Sequence, residues 1–443
     1  MRPPDRGSAT LLRSLDLRAL SAGLFNTVVG AGIFVLPATV AGLVGTGAAF
    51  AYVFCAVAIL FVMLAYASAG SRVTEAGGSI AYIHAAFGPL AGFLGGVMIW
   101  LSDTLAAAGV AAAFAAAVSV YVPAVADPIG RTLLLAVVLG GLAAINVRGV
   151  AKGASFVQIV TIFKLAPLVA FVVLGLALRW HDIPAPTVPT ADSLGRAAVF
   201  LMFAFSGAET SMALSGEVIE AHKTIPRALL LALGVITLLY GSVHAVAAAA
   251  LGASLPASTA APLAEAAGVF GGAAMRSLLL AGTAISMLGY LSAIALATPR
   301  SVYRIGRVGV LPRALGRVHP RFRTPHVAII SQMSVTFSIA ATGTFTLLVP
   351  LATVAVLVLY LTVCFAAWRL ARLDVRADGE PFKVPSPVFA IGALLCVWLL
   401  WNTTLKEQLL ELAVLTAAAL LFLWRTRGRD AEAVAAEITE QSA

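Results

Sequence analysis

Two short stretches interrupt apolar runs with small residues: Gly30-Ala31-Gly32, inside "NTVVGAGIFVLP", and Ser206-Gly207-Ala208, which Glu209 follows at once. The segment around the first, residues 19–71, contains no Asp, Glu, Lys or Arg. Small residues of this kind let membrane helices approach each other closely. Alternatively they mark an unwound turn, which an apolar environment tolerates only where the backbone lines a cavity or meets protein. An unwound turn leaves N–H groups free at the start of the following half-helix, a positive end that favours a carboxylate. It also leaves carbonyls free at the end of the preceding half-helix, which accept from an ammonium group. Both ends about one turn apart suit the two charges of an α-amino acid.

Three ionisable residues fall inside apolar runs, where a charge is costly and usually functional. Lys164 follows Lys152 by twelve residues, or roughly 18 Å of helix, too deep for its side chain to reach the surface. It is either a proton carrier or a fixed cation that holds helices together. Asp103, in "MIWLSDTLAAAG", lies about a dozen residues into its run, near mid-membrane. It is a counter-ion for a substrate amine, a second proton carrier, or a structural partner for a neighbouring donor. Glu209 either titrates during function or braces the unwound turn by accepting freed backbone N–H groups.

The elements that must position these residues follow from composition. The chain has 443 residues, 60% of them hydrophobic and 11% charged, with a mean hydropathy of +0.98. Soluble domains carry charge at about a quarter of positions, so the expectation is a multi-pass membrane protein. A spanning helix needs roughly 20 apolar residues. Twelve runs are predicted, at about 19–42, 48–71, 90–120, 131–148, 154–178, 196–216, 228–252, 272–299, 327–346, 348–368, 385–403 and 408–424.

The net charge of +9 is explained by how it is distributed. With the N-terminus inside, the inner loops and tails hold 23 of the 29 lysines and arginines, including seven between Arg300 and Arg323. The outer loops hold only Arg131, Arg179, Arg196, Arg276 and Lys406. This asymmetry places both termini in the cytoplasm and gives no reason to expect a nucleic-acid partner. Cys55, Cys364 and Cys396 lie in three different runs without metal or disulfide spacing. The six histidines are scattered, and neither HExxH nor GxSxG occurs. Neither an enzyme, a metal site nor a cofactor is expected. The first residues lack an apolar stretch with a cleavage site, so no removable signal peptide is expected.

Breaks in the first and sixth runs occupy corresponding positions if the first ten runs form two five-helix halves, and paired breaks of this kind point to a transporter's midplane site. An odd number of spans per half inverts one half relative to the other. The expected layout is a tail at 1–18, repeats at 19–178 and 196–371, two further helices within 384–424, and a tail at 425–443.

The chain resembles the amino acid-polyamine-organocation superfamily of transporters, which share the LeuT-type fold. The glycine break followed by Ile33-Phe34 is similar to the family's first-helix signature. "EAGGSIAYIHAAFGPLAGFLGG" (Glu75 to Gly96) resembles its cytoplasmic segment leading into the third helix. "FAFSGAETSMALSGEVIEAHKTIPRAL" (Phe203 to Leu229) resembles the sixth helix and the loop after it, and "RSVYRIGRVGVLP" (Arg300 to Pro312) the end of the eighth. Departures are Val308, where an acid is usual, and Ala221-His222, where Asn-Pro is usual.

The resemblance implies that a substrate carboxylate meets the backbone at Gly30, Ala31 and Gly32, and its amine the carbonyls near Val28 and Ser206 beside Gly207. It implies that Phe203 is an aromatic lid, that Phe205 and Tyr290 are secondary walls, and that Ser102 and Asp103 stand at pocket level. It also implies that Lys164, in "FKLAPL", stands where relatives bind sodium. The expected activity is secondary active transport of a neutral amino acid by alternating access in the plasma (inner) membrane, coupled to protons. An amino acid or amine exchanger and a non-transporting sensor are the alternatives. No obligate protein partner is expected.

Overall fold

The computed structural model describes residues 16–73, 78–209, 218–376 and 380–427; within these, the side chains of Asn26, residues 150–164, Ala221, His222 and Val308 are not described. Lys164, much of the loop after the sixth run and both distal tails therefore lie outside the described residues or side chains.

The described residues are overwhelmingly helical, as the absence of water in a bilayer core requires of a spanning backbone. The first run is split into α1 (Leu17–Val28) and α2 (Gly32–Val44), followed by α3 (Ala48–Gly70). A short α4 (Ser79–Phe87), outside the twelve apolar runs, leads into α5 (Pro89–Ser119). Then come α6 (Pro128–Arg148), α7 (Val150–Arg179) and α8 (Ala191–Phe205). After the second break follow α9 (Ala221–Leu251), α10 (Pro262–Val308), α11 (His326–Thr342), α12 (Phe345–Arg372), α13 (Ser386–Trp401) and α14 (Leu405–Thr426). Gly272, at φ 63° and ψ −161°, divides α10 into two helical pieces.

Eleven of the predicted runs overlap a helix or, for the first, a broken pair; the sixth overlaps α8, and its residues 210–216 lie outside the described residues. Eight helical stretches among the described residues, α2 and α3 counted together, are long and apolar enough to cross a membrane. α11 and α13, with 17 and 16 residues, are shorter.

Helix starts are set by local chemistry. Asp127 caps α6 by accepting from the N–H of Ile129 at 2.9 Å, with Pro128 in the first turn, where its missing N–H costs nothing. Thr404 and Glu407 form a reciprocal capping box on α14. Between α12 and α13, the buried Arg72 donates to the Val375 carbonyl at 2.9 Å and lies 3.6 Å from Asp374. The Arg376 guanidinium, hydrogen-bonded to Asp374, holds that exposed carboxyl below the usual range.

The packing brings the breaks together. α1 lies against α9 and α2 against α8, while α10 packs on α7 and α5, and α12 on α5 and α3. Gln332 of α11 joins that helix to α5. Its Oε1 accepts from Trp100 Nε1 at 2.7 Å and its Nε2 donates to Thr104 Oγ1 at 2.9 Å, with the side chain 2% exposed. Replacing it with Leu strands two polar groups, so Gln332→Leu is expected to lose about 1–2 kcal/mol of stability. Thermal unfolding in detergent measures this, and an unchanged midpoint would show that the network does not hold α11 to α5.

Candidate functional site at the paired breaks

At the first break α1 closes on a tight turn, with Gly30 N–H donating to the Val28 carbonyl at 2.7 Å. The N–H groups of Ala31 and Gly32, at the start of α2, have no acceptor among the described residues. Gly32 is a contact glycine: a Cβ there would lie 3.3 Å from the Phe203 ring and from Ala204 Cβ. Above Gly30 the neighbour is Tyr290, whose Cδ2 would be 3.7 Å from an added Cβ.

At the second break α8 ends as Ser206 turns extended (φ −72°, ψ 163°), its Oγ donating to the Phe203 carbonyl at 2.8 Å. Gly207 follows at φ +111°, a conformation that L side chains rarely adopt, and a Cβ there would stand 2.7 Å from the Thr27 carbonyl oxygen. The two breaks therefore touch backbone to backbone, and glycine is required twice over.

A hydroxyl that sequence reasoning did not single out holds this contact. Tyr240 of α9, fully buried, lies 3.0 Å from the Val28 carbonyl and 3.1 Å from that of Ala204. It has one proton and faces two acceptors, so the hydrogen is shared between the terminal carbonyls of the two half-helices that precede the breaks. Phe205 packs edge-on against the Tyr240 ring at 5.3 Å and is fully buried. It buttresses this clamp instead of lining a pocket as a wall residue. Val28 is also redirected: its carbonyl, expected to meet an amine, already accepts from Gly30 and Tyr240, which occupies both lone pairs.

Glu209 braces the second break. Both its carboxylate oxygens accept from Gly207 N–H, at 3.0 and 2.9 Å, and Oε2 accepts from Tyr360 Oη at 2.7 Å. This is the bracing geometry that its position beside freed donors suggests. Tyr360 of α12 meets Tyr66 edge-on at 5.9 Å, and Tyr66 accepts from Ser79 at 3.0 Å. An aromatic and hydroxyl chain thus runs from the break to the start of α4.

Asp103, midway along α5, accepts from Thr298 of α10 at 3.3 Å. Ser102 points elsewhere, donating to the Ala352 carbonyl at 3.0 Å and tying α5 to α12. Phe203 is partly buried, edge-on to Phe345 at 6.0 Å. Phe345 lines a cavity of about 390 Å³ with Val35, Thr39 and Arg131. Phe203 thus stands between Gly32 and Phe345. The Lys164 side chain lies outside the description, although α7 carries the residue and packs on α10.

A multi-pass helical bundle whose two interrupted helices meet at an internal polar site has the build of a small-molecule carrier. The chain belongs to the amino acid permease family, whose profile matches residues 15–424, within the amino acid-polyamine-organocation superfamily. It is 31% identical over 404 residues to an uncharacterized transporter of Mycobacterium tuberculosis, covering 90% of this chain and 88% of that protein. It is also 27% identical to the branched-chain amino acid permease of Lactococcus lactis, over 92% of each chain. A serine/threonine exchanger of Bacillus subtilis is likewise 27% identical, over 90% of this chain and 91% of the exchanger.

Two substitutions test the clamp. Gly207→Ala forces both an unfavourable φ and a clash with Thr27, so substrate binding is expected to disappear while the protein still inserts in the membrane. Tyr240→Phe removes the hydroxyl donor from the Ala204 carbonyl and leaves the Val28 carbonyl with Gly30 N–H alone; it is expected to lower stability by about 1–3 kcal/mol and weaken binding. Wild-type affinity in either purified variant would contradict the geometry described.

Proposed function

We propose that this protein is a secondary active transporter that carries α-amino acids across the plasma membrane by alternating access, with both termini cytoplasmic. The observation that carries the reading is the contact between the two breaks, which offers uncommitted N–H groups at Ala31 and Gly32 beside the Ser206-Gly207 turn. The substrate carboxylate meets the start of α2, where donors remain. Its amine meets the side of Ser206, since Val28 is taken by the clamp. Phe203 closes over the bound solute from the cavity side, and Tyr290 walls it opposite Gly30.

The twelve-span layout with inverted repeats at 19–178 and 196–371 belongs to the same proposal. Its support is that the broken helices come sixth-to-first in order and pack together, as repeat-related elements do. The half-helices on either side of each break then rock against the rest of the bundle and open the site to one face at a time.

Proton-coupled symport through Lys164 is the proposed energetics, supported by the depth of that residue in α7. Glu209 is committed to Gly207 and Tyr360, which makes it a brace first. Exchange is the second reading, favoured by the similarity to a protein named as a serine/threonine exchanger.

Purified protein in liposomes, given a labelled amino-acid mixture with and without an inward proton gradient, separates the two. Gradient-driven accumulation is expected in wild type, with only the gradient dependence lost in Lys164→Ala. Uptake that ignores the gradient but requires internal amino acid would establish exchange and leave Lys164 a structural cation. Gly32→Leu is expected to abolish binding, because its side chain would fill the space against Phe203. Normal affinity in that variant would refute the site assignment.

A further inference from the structure

We infer that the groove between the start of α5 and the end of α10 is a headgroup site for an anionic phospholipid, with Arg300 and Arg304 holding the phosphate. The inference is independent of which solute is carried. It takes from the proposed orientation only that the leaflet concerned is the inner one.

The last two turns of α10 carry Arg300, Arg304 and Arg307, at spacings of four and three residues that put them on one helical face. No Asp or Glu occurs anywhere between Glu265 and Asp374. The turn after α10, which carries Arg313, folds back onto the helix: Gly316 N would lie 2.9 Å from a Cβ added to Gly306. Setting topology needs positive charge on this side, and exposed arginines suffice for that. Arg300 and Arg304 are instead partly buried inside the helix. Arg300 stands eight residues before the end of α10, roughly 12 Å along it. It makes no hydrogen bond or ion pair among the described residues. A guanidinium at that depth calls for an anion.

Arg304 places that anion. Its Nη2 donates to Ser301 Oγ at 3.2 Å. The two residues line a groove whose other walls include Ile80 of α4, Phe93 and Gly96 of α5, and Ile305. The enclosed space is about 20 Å³, enough for about one water-sized oxygen and too small for a whole solute. The occupant is therefore a ligand that inserts a polar oxygen and leaves its bulk outside the groove.

An apolar surface for that bulk adjoins the groove. Phe93 stacks on Phe422 of α14 at 5.0 Å, and with Val97 and Val310 they form an apolar cluster separate from the main core. Around Phe422, Leu420, Leu423 and Trp424 are exposed, as on a helix that faces acyl chains. The groove thus shares its Phe93 wall with a lipid-facing helix. Arg425, set over the Trp424 ring at 4.6 Å, adds the aromatic and cationic pair typical of headgroup depth. Basic pockets between spanning helices on this side suit anionic headgroups, and a phospholipid gains both the charge and the apolar contact.

Native mass spectrometry of the purified full-length protein in detergent tests this with three probes. They are phosphatidylglycerol, phosphatidylcholine, and glycerophosphoglycerol, which is the first headgroup without its chains. Wild type is expected to bind one phosphatidylglycerol at least about tenfold more tightly than either other probe, the scale of one charge-assisted hydrogen bond. In Arg300→Gln/Arg304→Gln the preference over phosphatidylcholine is expected to fall close to one. Arg321→Gln/Arg323→Gln, which removes the same charge from the loop, is expected to keep it. Gly96→Leu fills the groove without changing charge, starting from a Cβ at an ordinary 3.5 Å from Ile80. It is expected to lose the bound lipid too, and it decides the matter if the first variant does not fold. No preference in wild type, an equal loss in both arginine pairs, or undiminished binding in Gly96→Leu overturns the proposal. Glycerophosphoglycerol binding as tightly as the lipid also overturns it and assigns the groove to a soluble phosphate.

Discussion

One shared proton organises the site. The hydroxyl of Tyr240 sits between the Val28 and Ala204 carbonyls, at 3.0 and 3.1 Å, and these are the ends of two helices that stop short in the middle of the bundle. Without water, each unsatisfied backbone group there costs several kcal/mol. A single buried side chain offsets part of that cost for both breaks. It also fixes their distance, so that Gly207 can lie against Thr27 with no room for a side chain.

The two breaks are satisfied unequally, and the inequality gives the site its polarity. At the second break the freed donor of Gly207 is held by Glu209, itself anchored by Tyr360 on α12. At the first break the donors of Ala31 and Gly32 remain without an acceptor among the described residues. An anionic group therefore finds its complement at α2 and meets a carboxylate already in place beyond Gly207. In the proposed transport cycle this orients the solute. The braces also link the site to the scaffold: Tyr240 reaches α9, Glu209 reaches α12 through Tyr360, and Ser286 reaches α10.

Much of this was legible in the sequence, for a physical reason. A glycine break in an apolar run violates the rule that spanning backbone must bond itself, so Gly30, Gly32 and Gly207 announce themselves without any contact map. The bracing role open to Glu209 was readable too, because acid and freed donor are two residues apart. Tyr240 and Tyr360 were not. They sit in apolar helices 36 and 151 residues from the groups they bind in the second break, where an aromatic looks like packing. The one signal available was that a buried tyrosine hydroxyl requires a partner, which says that a bond exists but not to what. Phe205 and Ser102 were placed at the pocket by the family resemblance. Helical geometry turns Phe205 onto Tyr240 and Ser102 onto Ala352. The segment of α4 was read only through the family resemblance, because nine residues are too few to register as a span.

The central claim is that the touching breaks recognise both charges of an α-amino acid. It is tested most directly by equilibrium binding of one transported amino acid beside its N-acetyl derivative and its methyl ester, on the purified protein. The expected result is that the free amino acid binds while both derivatives lose affinity by tenfold or more, since each forfeits one charge-assisted contact. Binding of either derivative as tightly as the parent would contradict the assignment of backbone donors at α2 or of the acceptor at Ser206.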